Sequence, residues 1–491
     1  MLSLLSVALY AVPVAALVPQ TPTAALELAP LFSNGMVLQR ESHAPIWGRG
    51  APGGTVAIEA SWASGARAAA TVDERGEWRA ELETPSAGGP HRIVVRGDRE
   101  LAIEDVWVGE VWLCSGQSNM EWTVGPGPIG GVLDWQKEIA SADHPRIRHF
   151  DVPNRLALRE QRHVSGAWTV CSPKTVGSFS AVAYFFAREI ERELDVPVGL
   201  LNATWSGTPI QSWLDERSAR SFGPSAEAFA VVERLRAGEI ELTDAQRLGQ
   251  GPELGPATST VLFNAMVAPL APYSLRGFLW YQGESDRGIA AHYEALQLGL
   301  MASWRERFRV PAAPFYYVQL APYRYDDDRG ETGALREAQR RVLATPNCGM
   351  AVTLDVGDPA DIHPRNKQDV GKRLARWALN KTYGRGDVLA SGPLVREALR
   401  EGEKVRVSFD SIGAGLISAA DHLEGFEIVG ADGVALEARA EIDGASVVLW
   451  HPKCPAPVRV RYGYGDAMQP VLFNKEWLPA AAFCIDVKAP R

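Results

Sequence analysis

The stretch VWVGEVWLCSGQSNMEW, residues 106–122, decides how the rest of the chain is read. Val106, Trp107, Val108, Val111, Trp112, Leu113 and Cys114 form an apolar run. A parallel strand covered on both faces reads this way, near-continuous rather than alternating. The run ends at Gly116, and Ser118 follows two residues later. A strand that stops at a glycine turn leaves the next side chains at the carboxyl edge of a sheet, where α/β proteins hold their ligands. A serine hydroxyl there is a candidate nucleophile, provided a base takes its proton and amide donors stabilise the resulting oxyanion. Met120 stands where the second glycine of a G-x-S-x-G elbow belongs, so that signature is not met. The competing reading of Ser118 is a helix N-cap in a βα loop.

Downstream, apolar strand candidates alternate with helical ones. SAVAYFFAREIERELD (180–195), PVGLLNATW (197–205), LRGFLWYQG (275–283) and HYEALQLGLMASWRERF (292–308) are followed by FYYVQLAPY (315–323), GALREAQRRVLA (333–344), MAVTLDVGD (350–358) and NKQDVGKRLARWALNKTYG (366–384). This order predicts a parallel sheet covered by helices, an α/β domain over 106–385. Residues 214–258 are polar and helix-like and read as an insertion near the site. On either side the texture is short alternating segments with glycine turns, predicting β-domains over 26–105 and 386–491.

A length of 491 residues suggests several domains, and 46% hydrophobic with 22% charged residues is a globular composition. Net charge is 50 − 59 = −9 with no basic stripe, which argues against a nucleic-acid partner. Residues 2–18 are apolar and uncharged; they read as part of a signal peptide over 1–25, with secretion or periplasmic export as the expected location. Pro13 and the short length argue against stable membrane insertion. The five cysteines show no paired close spacing; after export they could form a disulfide or two, which sequence cannot assign.

Of nine histidines, most sit among polar residues and read as solvated. His363 differs: it lies in DVGDPADIHPRNKQDVGKRLA, in a loop between a strand and a helix. Asp361 and Asp358 precede it by two and five residues. A carboxylate so placed can accept the imidazole Nδ1 proton and stabilise the imidazolium formed during attack. Asp355, Asp358 and Asp361 do not have calcium-loop spacing, and no zinc ligand set is evident, so neither metal nor other cofactor is expected. Two more strand-end turns carry NATWSGTPIQSW (202–213) and WYQGESDR (280–287). Gly207 offers a backbone amide and Gln282 a carboxamide; with the Ser118 amide these make three oxyanion donors. Glu284 and Asn119 are candidate supporting groups.

Taken together, LFSNGMVLQR, PIWGRGAPGG, VWLCSGQSNMEW, WSGTPIQSW, TSTVLFNAMVAPL, LWYQGESD, YYVQLAPY, LREAQ and DIHPRNKQDVGKRLA, in order from residue 31 to 375, resemble the SGNH-type hydrolases and more closely the sialate O-acetylesterase family of carbohydrate esterases. The resemblance implies a three-layer α/β/α, flavodoxin-like hydrolase domain with β-rich accessory domains. It implies Ser118 as nucleophile, His363 as base and an oxyanion hole of the Ser118 amide, Gly207 and Gln282. It implies hydrolysis of acetyl esters on a sugar or oligosaccharide through an acetyl-serine intermediate. Two departures are visible: Ser206 replaces one glycine of the family's Trp-Gly-Gly-Thr turn, and Ala360 stands three residues before His363, where an aspartate is usual. Asp361 is then the candidate triad acid, with Asp358 or a dyad backed by a carbonyl as alternatives.

The acceptor sugar stays open between sialic acid, whose carboxylate would call on Arg287 or Arg365, and acetylated plant polysaccharide, on which Trp122, Trp205 and Tyr281 could stack. More remote readings are a glycoside hydrolase using Glu284 with Asp355, Asp358 or Asp361, and a non-catalytic sugar-binding protein.

Overall fold

The computed structural model describes residues 25–62, 66–240 and 254–489. Residues 1–24 of the expected signal peptide and 241–253 of the insertion lie outside them. The elements that carry the site are β1 (Glu100–Gly116), the short α1 (Ser118–Glu121), β2 (His144–Asp151), β3 (Trp168–Cys171), α2 (Ala181–Leu194), β4 (Val198–Thr204), β5 (Gly277–Tyr281), β6 (Phe315–Val318), β7 (Cys348–Ala351) and α3 (Lys367–Trp377). Their sheet runs β3–β2–β4–β1–β5–β6–β7, parallel except for the antiparallel edge strand β3.

The centre of this sheet is buried on both faces, which is why Val111–Cys114 of β1 and the whole of β5 and β6 carry no charged residue. Val111 and Leu113 of β1 pack into one hydrophobic cluster with Leu201, Phe278, Trp280 and Tyr317; Trp112 and Cys114 pack into another with Leu200, Leu279, Tyr281 and Tyr316. Successive side chains of a strand point to opposite faces. On the second face α2 lies against α3. Ser180 caps α2, accepting from the Ala183 amide at 3.3 Å, and Asn366 caps α3, accepting from Asp369 at 3.1 Å.

β1 begins in one antiparallel setting and ends in a parallel one. Its first half pairs with Gly88–Arg96, and its second half, from Glu110 on, pairs with β4 and β5. Glu110 is fully buried at the changeover, where Arg40 and Arg276 meet its carboxylate at 2.5 and 2.6 Å. From Leu394 on, an eight-stranded sheet and a two-stranded pair (Leu416–Ser418 with Leu472–Asn474) complete the chain. Arg336 joins this region to the central one: its buried guanidinium donates to the carbonyls of Leu320, Ala321, Gly463, Gly465 and Asp466. The insertion is helical where described, at Glu216–Ser221 and Gly223–Ala237.

Two expectations need correction. His149 is not solvated: β2 buries it against Phe179, with ring centroids 4.5 Å apart. The five cysteines are all free. Among the described residues no helix is long and apolar enough to cross a membrane.

Candidate active site

Strand register brings three of the expected loops to one level. Gly116 at the end of β1 pairs with Thr204 of β4 on one side and Tyr281 of β5 on the other. The turns carrying Ser118, Gly207 and Gln282 therefore leave the sheet side by side. Gly116 has φ +143°, and a Cβ on it would lie 2.1 Å from the Tyr281 carbonyl oxygen. Only glycine lets the backbone pass so close to β5. The Gln117 amide then donates to that same carbonyl at 3.0 Å, and α1 starts at Ser118.

The fourth loop, after β7, delivers His363. Its Nε2 lies 2.9 Å from Ser118 Oγ, within hydrogen-bond reach. The Trp122 ring stacks on the imidazole at 5.2 Å and 22°. Asp361 Oδ1 accepts the His363 backbone N–H at 2.9 Å and lies 4.0 Å from Nδ1, an ion-pair distance rather than a hydrogen bond. Asp358 accepts from the Ala360 amide at 2.8 Å, and its carbonyl from the Asp361 amide at 3.1 Å, so it shapes the turn. Burial pulls the His363 imidazole below its ordinary range; the Lys367 charge adds to this and Asp361 opposes it.

The three expected oxyanion donors are placed unequally. The backbone N–H groups of Ser118 and Gly207 have no protein acceptor among the described residues, and Gly207 sits exposed at φ +70°. The Glu121 carboxylate holds the Gly207 turn by accepting from the Ser206 amide at 2.6 Å and the Ser206 hydroxyl at 2.5 Å. Gln282 is buried, with its amide group facing Asp286 at 2.5 Å, Gln117 Oε1 at 3.1 Å and the Thr208 carbonyl at 3.2 Å. The Tyr293 hydroxyl donates to its oxygen at 2.7 Å. Burial pushes the Asp286 carboxyl up to about 7.

Beneath the serine lies a second polar group. Asn119 Nδ2 donates to Glu284 Oε1 at 2.5 Å and to the Ile362 carbonyl at 3.1 Å, while its Oδ1 accepts from the Lys367 ammonium. Burial raises the Glu284 carboxyl, opposed by the Asn119 hydrogen bond and the Lys367 charge.

Residues that sequence reasoning passed over are Gln117, Glu121 and Lys367. The first two stand inside the 106–122 stretch and Lys367 inside the His363 segment, but nothing in their spacing says what they touch. Several expected residues serve elsewhere. Tyr281 is fully buried and offers no face to a sugar. Asp355 forms a two-pronged ion pair with Arg373 at 2.5 and 2.6 Å, which leaves the paired-carboxylate reading without that partner. Arg287 pairs with Asp327 and Asp328, both at 3.2 Å, and stacks on Tyr325. Arg365 donates to the Gly131 and Val132 carbonyls at 2.8 and 3.4 Å.

A hydroxyl bonded to an imidazole, beside unpaired amide donors at a sheet edge, is an arrangement suited to acyl transfer. Comparison with known proteins makes this specific. Residues 108–239 and 254–380 match the family model described as carbohydrate esterase, sialic acid-specific acetylesterase. A sialate O-acetylesterase from Rattus norvegicus is 31% identical over 432 residues, 78% of each chain. The Homo sapiens sialate O-acetylesterase is 29% identical over 403 residues, 74% of this chain and 73% of that one. The solved structure of a carbohydrate acetylesterase from Xanthomonas citri superimposes with a TM-score of 0.82 at 34% identity, covering 94% of this chain and all of that one. The chain belongs to this carbohydrate esterase family. It is a carboxylic ester hydrolase that removes O-acetyl groups from carbohydrates.

Proposed function

We propose that the deacetylation runs through an acetyl-serine formed on Ser118, with His363 as general base and Asp361 as its acidic partner. The observation that carries this reading is the 2.9 Å contact between His363 Nε2 and Ser118 Oγ. His363 takes the hydroxyl proton as Oγ attacks the acetyl carbonyl carbon, and returns it to the leaving sugar oxygen. Water then attacks the acetyl-serine by the same route, releasing acetate. The developing oxyanion is met by the Ser118 and Gly207 amides. Gln282 joins them with the N–H that faces Gln117 and Thr208, since a charge-assisted bond is about twice as strong as those neutral contacts. The three-layer SGNH arrangement over 106–385, flanked by β-domains at 26–105 and 386–491, is the fold within which this works; the helices and two buried faces of the sheet support it. Export as a secreted or periplasmic enzyme rests on residues 1–25.

Asp361 is favoured over Asp358 because, of the two carboxylates, it is the one whose charge acts on His363 and the one that approaches Nδ1. Its separation is long and its side chain half-exposed, so Asp361→Asn is expected to lower kcat by about 10- to 100-fold, less than loss of a tight triad aspartate. Asp358→Asn is expected to leave kcat within about 3-fold. Initial rates on an activated acetyl ester check both, and the reverse ranking would reassign the acid.

For the acceptor, the engagement of Arg287 and Arg365 with protein partners supports a neutral O-acetylated saccharide over a sialic acid carboxylate, with the half-buried Trp205 as a stacking face. Acetate release from acetylated xylan and from an O-acetylated sialic acid, at matched ester concentration, tests this. Faster release from the xylan is expected. Faster release from the sialic acid overturns the choice of sugar, and release from neither overturns the proposed substrate range.

A further inference from the structure

Lys367 sits beside this chemistry without a part in it. The residue is fully buried, yet it occupies the first turn of α3, where the helix already presents positive charge from its unpaired N–H groups. An ammonium there is unfavourable twice over, once from lost hydration and once from the helix. A purely structural role would be filled better by an apolar side chain of the same length.

What the ammonium touches explains its presence. It donates to Asn119 Oδ1, and it lies 5.6 Å from the Trp122 ring centroid and 5.5 Å from that of Tyr281. With its oxygen taken by a cation, Asn119 must turn Nδ2 toward Glu284 and the Ile362 carbonyl. Asn119 adjoins Ser118, and Ile362 adjoins His363. The carboxamide thus ties the nucleophile's helix to the base's loop, across 243 positions of chain. Trp122, over which the ammonium also lies, is the ring stacked on His363.

We propose that Lys367 is a positioning residue for the deacetylation: its ammonium orients the Asn119 clamp between Ser118 and His363 and lies over the Trp122 ring that stacks on that imidazole. This rests on the serine–histidine reading above. The charged groups facing the pair are Glu284 from the turn after β5 and Asp361 from the His363 loop. Burial lowers the Lys367 ammonium to about 7, against the pull of those two carboxylates. It is therefore charged in the acidic window where the imidazole titrates. The sign follows directly. Activity needs neutral His363, so it is full above the imidazole's pKa and falls as pH drops through it. Removing a neighbouring positive charge raises that pKa and moves the acid limb upward.

The test is kcat/KM against pH on an activated acetyl ester for the wild type, Lys367→Met and Lys367→Gln. Both variants are expected to show the acid limb shifted up by about one pH unit. Lys367→Gln, which can still donate to Asn119, is expected to keep a plateau kcat at least about tenfold above that of Lys367→Met. An acid limb at the wild-type position in both variants, or equal plateaus, overturns the proposal. Should the variants fail to fold, the Lys367 and His363 side chains are titrated by NMR in otherwise unaltered Ser118→Ala protein; Lys367 is expected to keep its proton through the His363 midpoint, and loss of that proton below the midpoint overturns the proposal. An inactive wild type, or full activity in Ser118→Ala, would instead defeat the nucleophile reading.

Discussion

Replacing Ser118 by alanine is expected to lower kcat for acetate release by about 1,000-fold or more, with the fold unchanged. The size follows from the proposed route: on it, without Oγ no acetyl-enzyme forms, and only binding and the amide donors remain to help water attack directly. The fold survives because the Ser118 side chain carries little else. Its hydroxyl contacts His363 Nε2, and the start of α1 uses no side-chain cap. His363→Ala is expected to fall to a similar floor, and the double variant no further, because the two act as one unit. Circular dichroism and urea unfolding check the fold while acetate is measured. Full activity in Ser118→Ala would remove the basis for the mechanism.

Gly116→Ala is the second large effect, and it acts through the backbone. The new Cβ would sit 2.1 Å from the Tyr281 carbonyl oxygen, on a residue held at φ +143°. Backbone cannot yield there cheaply, since Tyr281 lies in register beside Gly116 and its carbonyl also accepts the Gln117 amide. A loss of about 3 kcal/mol or more in unfolding free energy is expected, together with loss of activity as Ser118 is displaced. Denaturant unfolding measures the first and the ester assay the second. A change within about 0.5 kcal/mol would mean that β1 and β5 separate more freely than their register implies.

These two predictions differ in how much of them the sequence carries. The apolar run into Gly116, the alternation of strands and helices, and the resemblance of nine segments to one esterase family were all readable from residue order. Ser118 and His363 stood out because each follows a strand and heads a turn. The strand texture was readable because the centre of a sheet buried on both faces favours apolar residues.

Other features have no local signature. Gln117, Glu121 and Lys367 act through partners that lie 85 to 248 positions away along the chain. Tyr281 looked like a sugar platform, and only its place beneath the turn shows that it is buried. Asp355, Asp358 and Asp361 are equally spaced in sequence; the fold gives Asp355 to Arg373, Asp358 to its own turn and Asp361 to the Nδ1 edge of His363. The chain by itself determined which segments are strands, which turns end them and which residue types stand at their tips, because burial and turn chemistry are local demands. Which side chain meets which was decided by strand register, since the pairing of Gly116 with Thr204 and Tyr281 is what sets three loops at one height.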